Sequence, residues 1–160
     1  MAKKYQNQEL NLVAGYNYGT CLVNSGEPRK GVEALLKVIS LLPGEGEQEQ
    51  KSIDIQNLYY NLGIGLAYVG EWNTCFKIME KIINPNLYAK AAMTRGKAAE
   101  RMRKFDVALE ELLAARQAAE KNKDWSTLSK GFSKNLFLQN LQLKKLLSFL
   151  VHIFILSAIT

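Results

Sequence analysis

The chain has few of the residues that build disulfide frameworks, metal sites or secretory signals. It contains two cysteines, Cys21 and Cys75, and one histidine, His152, among 160 residues. The two cysteines lie far apart and belong to no CxxC pair, which argues against a zinc site and a disulfide framework. The first ten residues, MAKKYQNQEL, include no apolar run of the kind that a secretory signal needs. A cytoplasmic location is therefore expected.

Catalytic and nucleotide-binding motifs are also missing from the sequence. Acid–base or nucleophilic catalysis needs groups that converge in a pocket, and the one histidine lies in the apolar run LLSFLVHIFILSAIT. The stretch YYNLGIGLAYVGEW, residues 59–72, imitates the opening of a GxGxxG phosphate loop. Such a loop follows a strand, whereas the sequence on both sides here has helical periodicity. We expect no enzymatic activity, no cofactor and no metal ion.

Composition favours one folded domain with a moderately basic surface. Hydrophobic residues make up 48% of the chain and charged residues 22%, and the formal net charge is +6. These proportions are those of soluble globular proteins, and the length suits a single domain. The positive charge favours acidic partners or membrane surfaces without establishing either.

Three segments share one pattern of small and large residues. They superimpose when Gly19, Gly63 and Gly96 are aligned, and each has the apolar periodicity of two helices joined by a short turn. No alternating strand pattern occurs. The segments are YNYGTCLVNSGEPRKGVEALLKVISLLP, YYNLGIGLAYVGEWNTCFKIMEKIINP and AMTRGKAAERMRKFDVALEELLAARQA. The fold class that we predict is all-α, built from helical hairpins.

These units resemble the tetratricopeptide repeat family, in which a bulky residue, Leu-Gly, an aromatic, then Ala, a bulky residue and Ala recur about every 34 residues. In the second unit these places hold Tyr59, Leu62, Gly63, Leu66, Cys75, Met79 and Ile82. In the first unit they hold Gly15, Tyr18, Gly19, Leu22, Gly31, Leu35 and Val38, and in the third Ala92, Arg95, Gly96, Ala99, Ala108, Leu112 and Ala115. The third unit departs from the pattern because Arg95 replaces leucine.

The resemblance implies a right-handed solenoid over residues 1–123, with repeats at about 12–43, 56–87 and 89–121. The polar stretch 44–52 is interpreted as a loop between repeats, and residues 124–160 as a degenerate fourth repeat or an apolar C-terminal helix.

Small residues are expected where the helices of a unit cross, because a larger side chain would hold the backbones apart. Gly63, Gly96 and Ala108 take such places, and Gly70 is expected in the turn before the next helix. Cys75 occupies a small-residue place of the family and Cys21 an adjacent inward-facing one, so both are predicted to be buried, unreactive thiols.

In the family, the first helix of each unit lines a concave face that binds ligands. The resemblance therefore implies a noncatalytic scaffold or adaptor that binds a peptide segment of a partner protein. Asn17 and Asn61 fall at equivalent places, and an amide side chain offers a peptide backbone both a donor and an acceptor. The candidate peptide-binding residues are Tyr16, Asn17, Thr20, Asn57, Tyr60, Asn61, Lys90, Thr94, Lys97 and Arg101.

Some family members hold the C-terminal carboxylate of chaperones with a clamp of lysine, asparagine and arginine residues. At the clamp places of this chain only Asn61 and Lys90 match, so a chaperone-binding co-chaperone is an alternative rather than the main interpretation. Lys97 and Arg101 lie one or two helical turns from the clamp places and could supply the missing positive charge. An acidic peptide segment is therefore a candidate ligand.

A cluster of basic residues suggests nucleic acid as a different class of partner. Its members are Arg95, Lys97, Arg101, Arg103 and Lys104. Glutamates interrupt the cluster and no aromatic side chains are interleaved with it, so a solvated helix face is the preferred interpretation.

The C-terminal run has no charged side chain from Leu146 onward. It is shorter than the roughly 20 apolar residues that span a bilayer, yet it lacks the polar face that a terminal solenoid helix needs. Three interpretations stay open: a short membrane anchor, a helix buried in a homodimer or in the groove, and a truncated repeat. The layout is also similar to that of tail-anchored mitochondrial fission adaptors, which implies membrane attachment through residues 146–160 with the repeats facing the cytosol.

Overall fold

The computed structural model describes residues 2–42 and 53–124 and the single positions 126, 127, 143 and 146. Six helices account for most of these residues. They are α1 (Ala2–Asn24), α2 (Pro28–Ser40), α3 (Ile55–Val69), α4 (Trp72–Glu80), α5 (Pro85–Arg101) and α6 (Phe105–Lys121). No strand occurs within the described ranges, so the predicted all-α class is confirmed for them.

Two of the sequence predictions fall on other parts of the chain. The loop at 44–52 lies outside the described residues, and so does nearly all of the segment 124–160. Of the apolar run that begins at Leu146, only Leu146 itself is described, as a helical residue with 57% of its surface exposed. Within the described part of the chain, no helix combines the length and the apolar character that crossing a bilayer requires.

The helices form three successive hairpins, α1–α2, α3–α4 and α5–α6, and each helix packs on the next one in sequence. In addition, α1 contacts α3, and α3 contacts α5. The first helices of the three hairpins therefore form a continuous row in which α3 lies in the middle.

The aligned glycines lie where the two helices of each hairpin meet. A Cβ atom added to Gly19, Gly63 or Gly96 would lie 2.8, 2.6 or 2.6 Å from the nearest side-chain atom of the second helix. That atom belongs to Leu35, Met79 and Leu112 respectively, which occupy one equivalent place in the three units. The close approach predicted for Gly63 and Gly96 is confirmed, and Ala108 is fully buried in the same contact region.

Gly65 has a packing role of a different kind, between hairpins. A Cβ atom there would lie 2.9 Å from Val32 Cγ2 and 3.0 Å from Val23 Cγ2, both in the first hairpin. Ala98, the equivalent residue of α5, is also fully buried. At Gly65 this place faces the preceding hairpin.

Both cysteines were predicted to be buried. Their positions in the hairpins explain why this prediction is right for Cys75 and wrong for Cys21. Cys75 is fully buried, and burial raises the pKa of its thiol to about 11. Cys21 is exposed, although its place is equivalent to those of Gly65 and Ala98. It lies on α1, which follows no other described helix, so its inter-hairpin face is uncovered.

The turns within the hairpins require a left-handed backbone. Gly26 and Gly70, at equivalent places, have φ of +92° and +90°. The Gly70 and Glu71 N–H groups donate to the Leu66 carbonyl at 3.0 and 2.9 Å, which ends α3. In the third hairpin the equivalent residue is Arg103, with φ of +60°. Arg103 therefore has a backbone conformation that is strained in every residue with a Cβ atom and unstrained in glycine.

Replacing Arg103 with glycine is expected to raise the free energy of unfolding by about 1 kcal/mol, because glycine relieves the left-handed strain while losing more chain entropy on folding. For a chain of this size the melting temperature should rise by about 3 °C. Thermal unfolding followed by circular dichroism measures the change. Arg103→Ala is the control, since it removes the charge and keeps the strain. Equal stabilisation by alanine would attribute the effect to charge instead.

The Asn84-Pro85 pair begins a helix rather than ending one. The Asn84 Oδ1 atom accepts a hydrogen bond from the Asn86 N–H at 2.9 Å, and Pro85 is the first residue of α5. This arrangement is an N-cap followed by proline at the first helical position. Helix α4 has already ended at Glu80.

The α4–α5 junction is tied to the start of α3 by Gln56. Its Nε2 donates to the Lys81 carbonyl at 3.3 Å, and its Oε1 accepts from the N–H groups of Ile83 and Asn84 at 2.8 and 3.1 Å. One side chain therefore satisfies three backbone groups that no helix pairs.

Arg95 does not belong to an exposed basic cluster, because it is 95% buried. Its Nη2 atom lies 2.7 Å from Glu111 Oε2, and its Nη1 donates to the Met79 carbonyl at 3.1 Å. The guanidinium also lies 5.3 Å from the centre of the Tyr88 ring. Burial lowers the pKa of Arg95, but the hydrogen bond and charge of Glu111 outweigh it, so the net shift is upward. The side chain joins α4, α5 and α6.

Candidate functional site

Three of the predicted binding residues meet between α1 and α3. The Asn61 Nδ2 atom donates to the Tyr16 hydroxyl at 2.9 Å and to the Thr20 hydroxyl at 3.3 Å. All three side chains are half-buried. Residues 16 and 20 are one helical turn apart and so share a face of α1. This face lies against Asn61 of α3. We call this group the amide cluster.

The hydrogen-bond directions determine what the amide cluster offers a ligand. Both amide hydrogens of Asn61 are used within the cluster, contrary to the expectation that they serve a peptide directly. Each hydroxyl accepts one of these hydrogens and retains its own proton for donation. No described residue donates to the Oδ1 atom of Asn61. The cluster therefore presents two hydroxyl donors and one amide acceptor, and it carries no charge.

A groove of about 460 Å³ lies between α3, α4 and α5. We call it the cationic groove, because Lys97 and Arg101 line it and both are exposed. Its remaining lining residues are Ile64, Ala67, Tyr68, Trp72, Thr94 and Glu100. The groove thus includes three of the predicted binding residues, Thr94, Lys97 and Arg101.

The aromatic part of this groove did not emerge from the sequence pattern. The Arg101 guanidinium lies 5.6 Å from the centre of the half-buried Trp72 ring, a cation–π contact. Tyr68 is 68% exposed beside them. Trp72 begins the second helix of its hairpin, whereas the family pattern assigns ligand contacts to first helices. The signal that was available is the pair of aromatic residues that flanks the Gly70 turn.

A second, open depression adjoins the cationic groove and has a volume of about 570 Å³. Arg101 and Glu100 line both, while Arg103 and Phe105 line only the second. Arg103 is the residue with the left-handed backbone. The positive surface therefore continues from α5 into the α5–α6 turn.

Asn57 and Thr94 have hydrogen-bond partners within their own helix or its N-cap. Asn57 donates from Nδ2 to Asp54 Oδ2 at 2.6 Å, at the N-cap of α3. The Thr94 hydroxyl donates to the Lys90 carbonyl of its own helix at 2.9 Å. Asn17 is exposed.

Tyr60 and Lys90 lie on the same faces of α3 and α5 as the groove residues but do not line it. Tyr60 packs at the edge of the apolar core, and burial, followed by the charge of Tyr68, raises the pKa of its hydroxyl. Lys90 is half-buried. Its charge contributes to the lowered pKa of Asp124, after the hydrogen bonds that the Asp124 carboxylate accepts from Thr127.

Comparisons of the chain with protein-family models, with curated proteins and with solved structures gave no match in any of the three. Among the described residues, no group of three or more histidine, cysteine, aspartate or glutamate side chains is arranged to hold a metal ion.

Proposed function

We propose that the chain is a noncatalytic scaffold of the tetratricopeptide type, whose three hairpins form a right-handed solenoid that binds a peptide segment of a partner protein. The observation that carries this proposal is the amide cluster. This polar, half-buried group joins α1 to α3. It lies next to the cationic groove, to which α5 contributes Lys97 and Arg101.

The chemistry of the cluster suits an extended peptide backbone. Such a backbone presents a carbonyl and, except at proline, an N–H group at every residue. The two hydroxyl donors match its carbonyl oxygens and the Asn61 Oδ1 atom matches its N–H groups, whatever the side chains are. These hydrogen bonds give affinity, and the adjacent groove gives specificity.

The cluster also favours this function over carboxylate capture by a co-chaperone. A clamp for a terminal carboxylate relies on charged donors, which form the stronger hydrogen bonds. Tyr16 and Thr20 carry no charge at the corresponding places. Membrane attachment and homodimerisation through residues 146–160, together with a cytoplasmic location, stay predictions from the sequence.

Selection of short random peptides displayed on phage, with the full chain as the immobilised target, tests the proposal. The selected peptides are then synthesised, and their affinities for the chain are measured by fluorescence anisotropy. Asn61→Asp is expected to weaken binding about tenfold, or 1.4 kcal/mol, because the substitution removes both amide donors that orient the hydroxyls and adds a negative charge.

Asn11→Asp is the matched control, since it makes the same substitution at an exposed asparagine of α1 that lies on the side of the helix opposite to Thr20 and is not a candidate binding residue. It is expected to bind with unchanged affinity. If Asn61→Asp binds as tightly as the unmodified chain, or if both variants lose affinity equally, the amide cluster is not the binding site. If no peptide is selected, the proposed function is wrong.

A further inference from the structure

We infer that the cationic groove selects an aspartate or glutamate side chain within the bound peptide, two or three residues from the peptide group that the amide cluster holds. This inference rests on the proposed function and specifies its ligand. The acidic residue is internal to the peptide and is not its terminal carboxylate.

The first argument is charge. Lys97 and Arg101 are one turn apart on α5, and both line the groove. Glu100 also lines it but already interacts with another residue of the chain. Arg103 extends the positive surface from the adjoining depression. Two cations against one engaged carboxylate leave a positive groove, which complements one acidic side chain.

The second argument is the way in which the arginine is held. Trp72 lies against the Arg101 guanidinium at 5.6 Å, and such a contact restricts the rotamers of a long side chain. A donor that is fixed before binding loses less entropy when the ligand arrives. Ile64 and Ala67 line the groove beside it and offer an apolar surface to the methylene groups of an acidic side chain. The five donors of a guanidinium suit a carboxylate in particular.

The third argument is spacing. Along α3, the groove residues Ile64, Ala67 and Tyr68 follow Asn61 by three to seven positions, which corresponds to about 5–10 Å at 1.5 Å per residue. An extended peptide advances about 3.3 Å per residue. A peptide that runs along α3 therefore places a side chain in the groove two or three residues after its contact with the amide cluster.

A protein partner is favoured over single-stranded nucleic acid. Nucleic acid needs a succession of cations along its backbone and of aromatic faces for its bases. Here the surface next to the cationic groove is the amide cluster, which carries no charge. Arg95, which the sequence analysis counted among the basic residues, is buried in an ion pair. Oligouridine binding is therefore an outcome that would count against the inference.

The test uses the selected peptides with acetylated N-termini and amidated C-termini, so that no terminal charge remains. The peptides should share an aspartate or glutamate at one fixed position. Replacing that residue with its amide is expected to weaken binding to the unmodified chain about tenfold. Arg101→Gln in the full chain should weaken binding of the acidic peptide by a similar factor, and it should leave the amide peptide almost unaffected.

Lys37→Gln is the control for net charge, because Lys37 is an exposed lysine of α2 far along the chain from the groove. It should preserve the preference for the acidic peptide. The inference is overturned, with the proposed function intact, if the peptides depend on Asn61 but share no acidic residue, or if Arg101→Gln weakens both peptides equally. Failure to select any peptide counts against both the proposed function and the inference. Oligouridine binding that is tighter than peptide binding and falls steeply with salt overturns the inference in favour of nucleic acid.

Discussion

Arg95→Leu is expected to lower the free energy of unfolding by about 3 kcal/mol, the typical cost of removing one partner from a buried ion pair. The substitution leaves the Glu111 carboxylate, whose side chain is 18% exposed, without its cation. It also leaves the Met79 carbonyl without the Nη1 donor that reaches it. Leucine is the residue that the repeat pattern expects at this place, so a sequence-based design would call the substitution favourable. The structure predicts the opposite.

Urea unfolding of the single variant and of the double variant Arg95→Leu/Glu111→Leu separates the causes. The double variant is expected to recover most of the loss, because two apolar side chains replace the pair without leaving a buried charge. In the unmodified chain, the Nε atom of Arg95 is buried and has no hydrogen-bond partner among the described residues, so within that part of the chain the pair is imperfectly satisfied. A double variant as unstable as the single one would show that packing around the guanidinium, rather than charge, is what matters.

Gly31→Ala is expected to lower the free energy of unfolding by about 2 kcal/mol. The added Cβ atom would lie 2.8 Å from the Val23 nitrogen and 2.9 Å from the Gly19 carbonyl oxygen. Both are backbone atoms of α1, so relief requires a shift of the whole helix, and overpacking of this kind costs up to about 3 kcal/mol. The gain in helix propensity from glycine to alanine returns about 1 kcal/mol.

Gly63→Ala provides the comparison within the same fold. Its Cβ atom would also come too close to a neighbour, at 2.6 Å, but that neighbour is the terminal methyl of Met79. A methionine side chain adapts by changing rotamer, so the net effect is expected to stay within about 1 kcal/mol. The same urea titration measures both variants. Equal losses would show that the chemical nature of the neighbour does not decide the cost.

The hairpin architecture was predictable because it rests on local patterns. Turn glycines, the Pro28 start of α2 and the apolar periodicity of α3 all act within a few residues of themselves. The close approach at Gly63 was predictable for the same reason, since small residues at matched places imply one repeated contact. Pattern alone also placed Tyr16, Thr20 and Asn61 on one surface, although it did not show that they bond to one another.

The features that sequence reasoning missed depend on contacts between hairpins. Arg95 reads as a surface charge until its partner, Glu111, is known to lie 2.7 Å away. Cys21 has an inward register, but it is exposed because the described residues place no hairpin in front of α1. Trp72 reaches the groove from a second helix through its contact with Arg101. None of these facts has a signature within a single repeat.

The three hydrogen bonds of Gln56 bear on how the cationic groove would meet the peptide proposed for it. They fasten the α4–α5 junction to the start of α3 and so restrain where α5 begins relative to α3. A hinge at this junction would have to break all three bonds at once. For the function proposed above, we therefore expect a partner to bind without a large closure of α5 on α3.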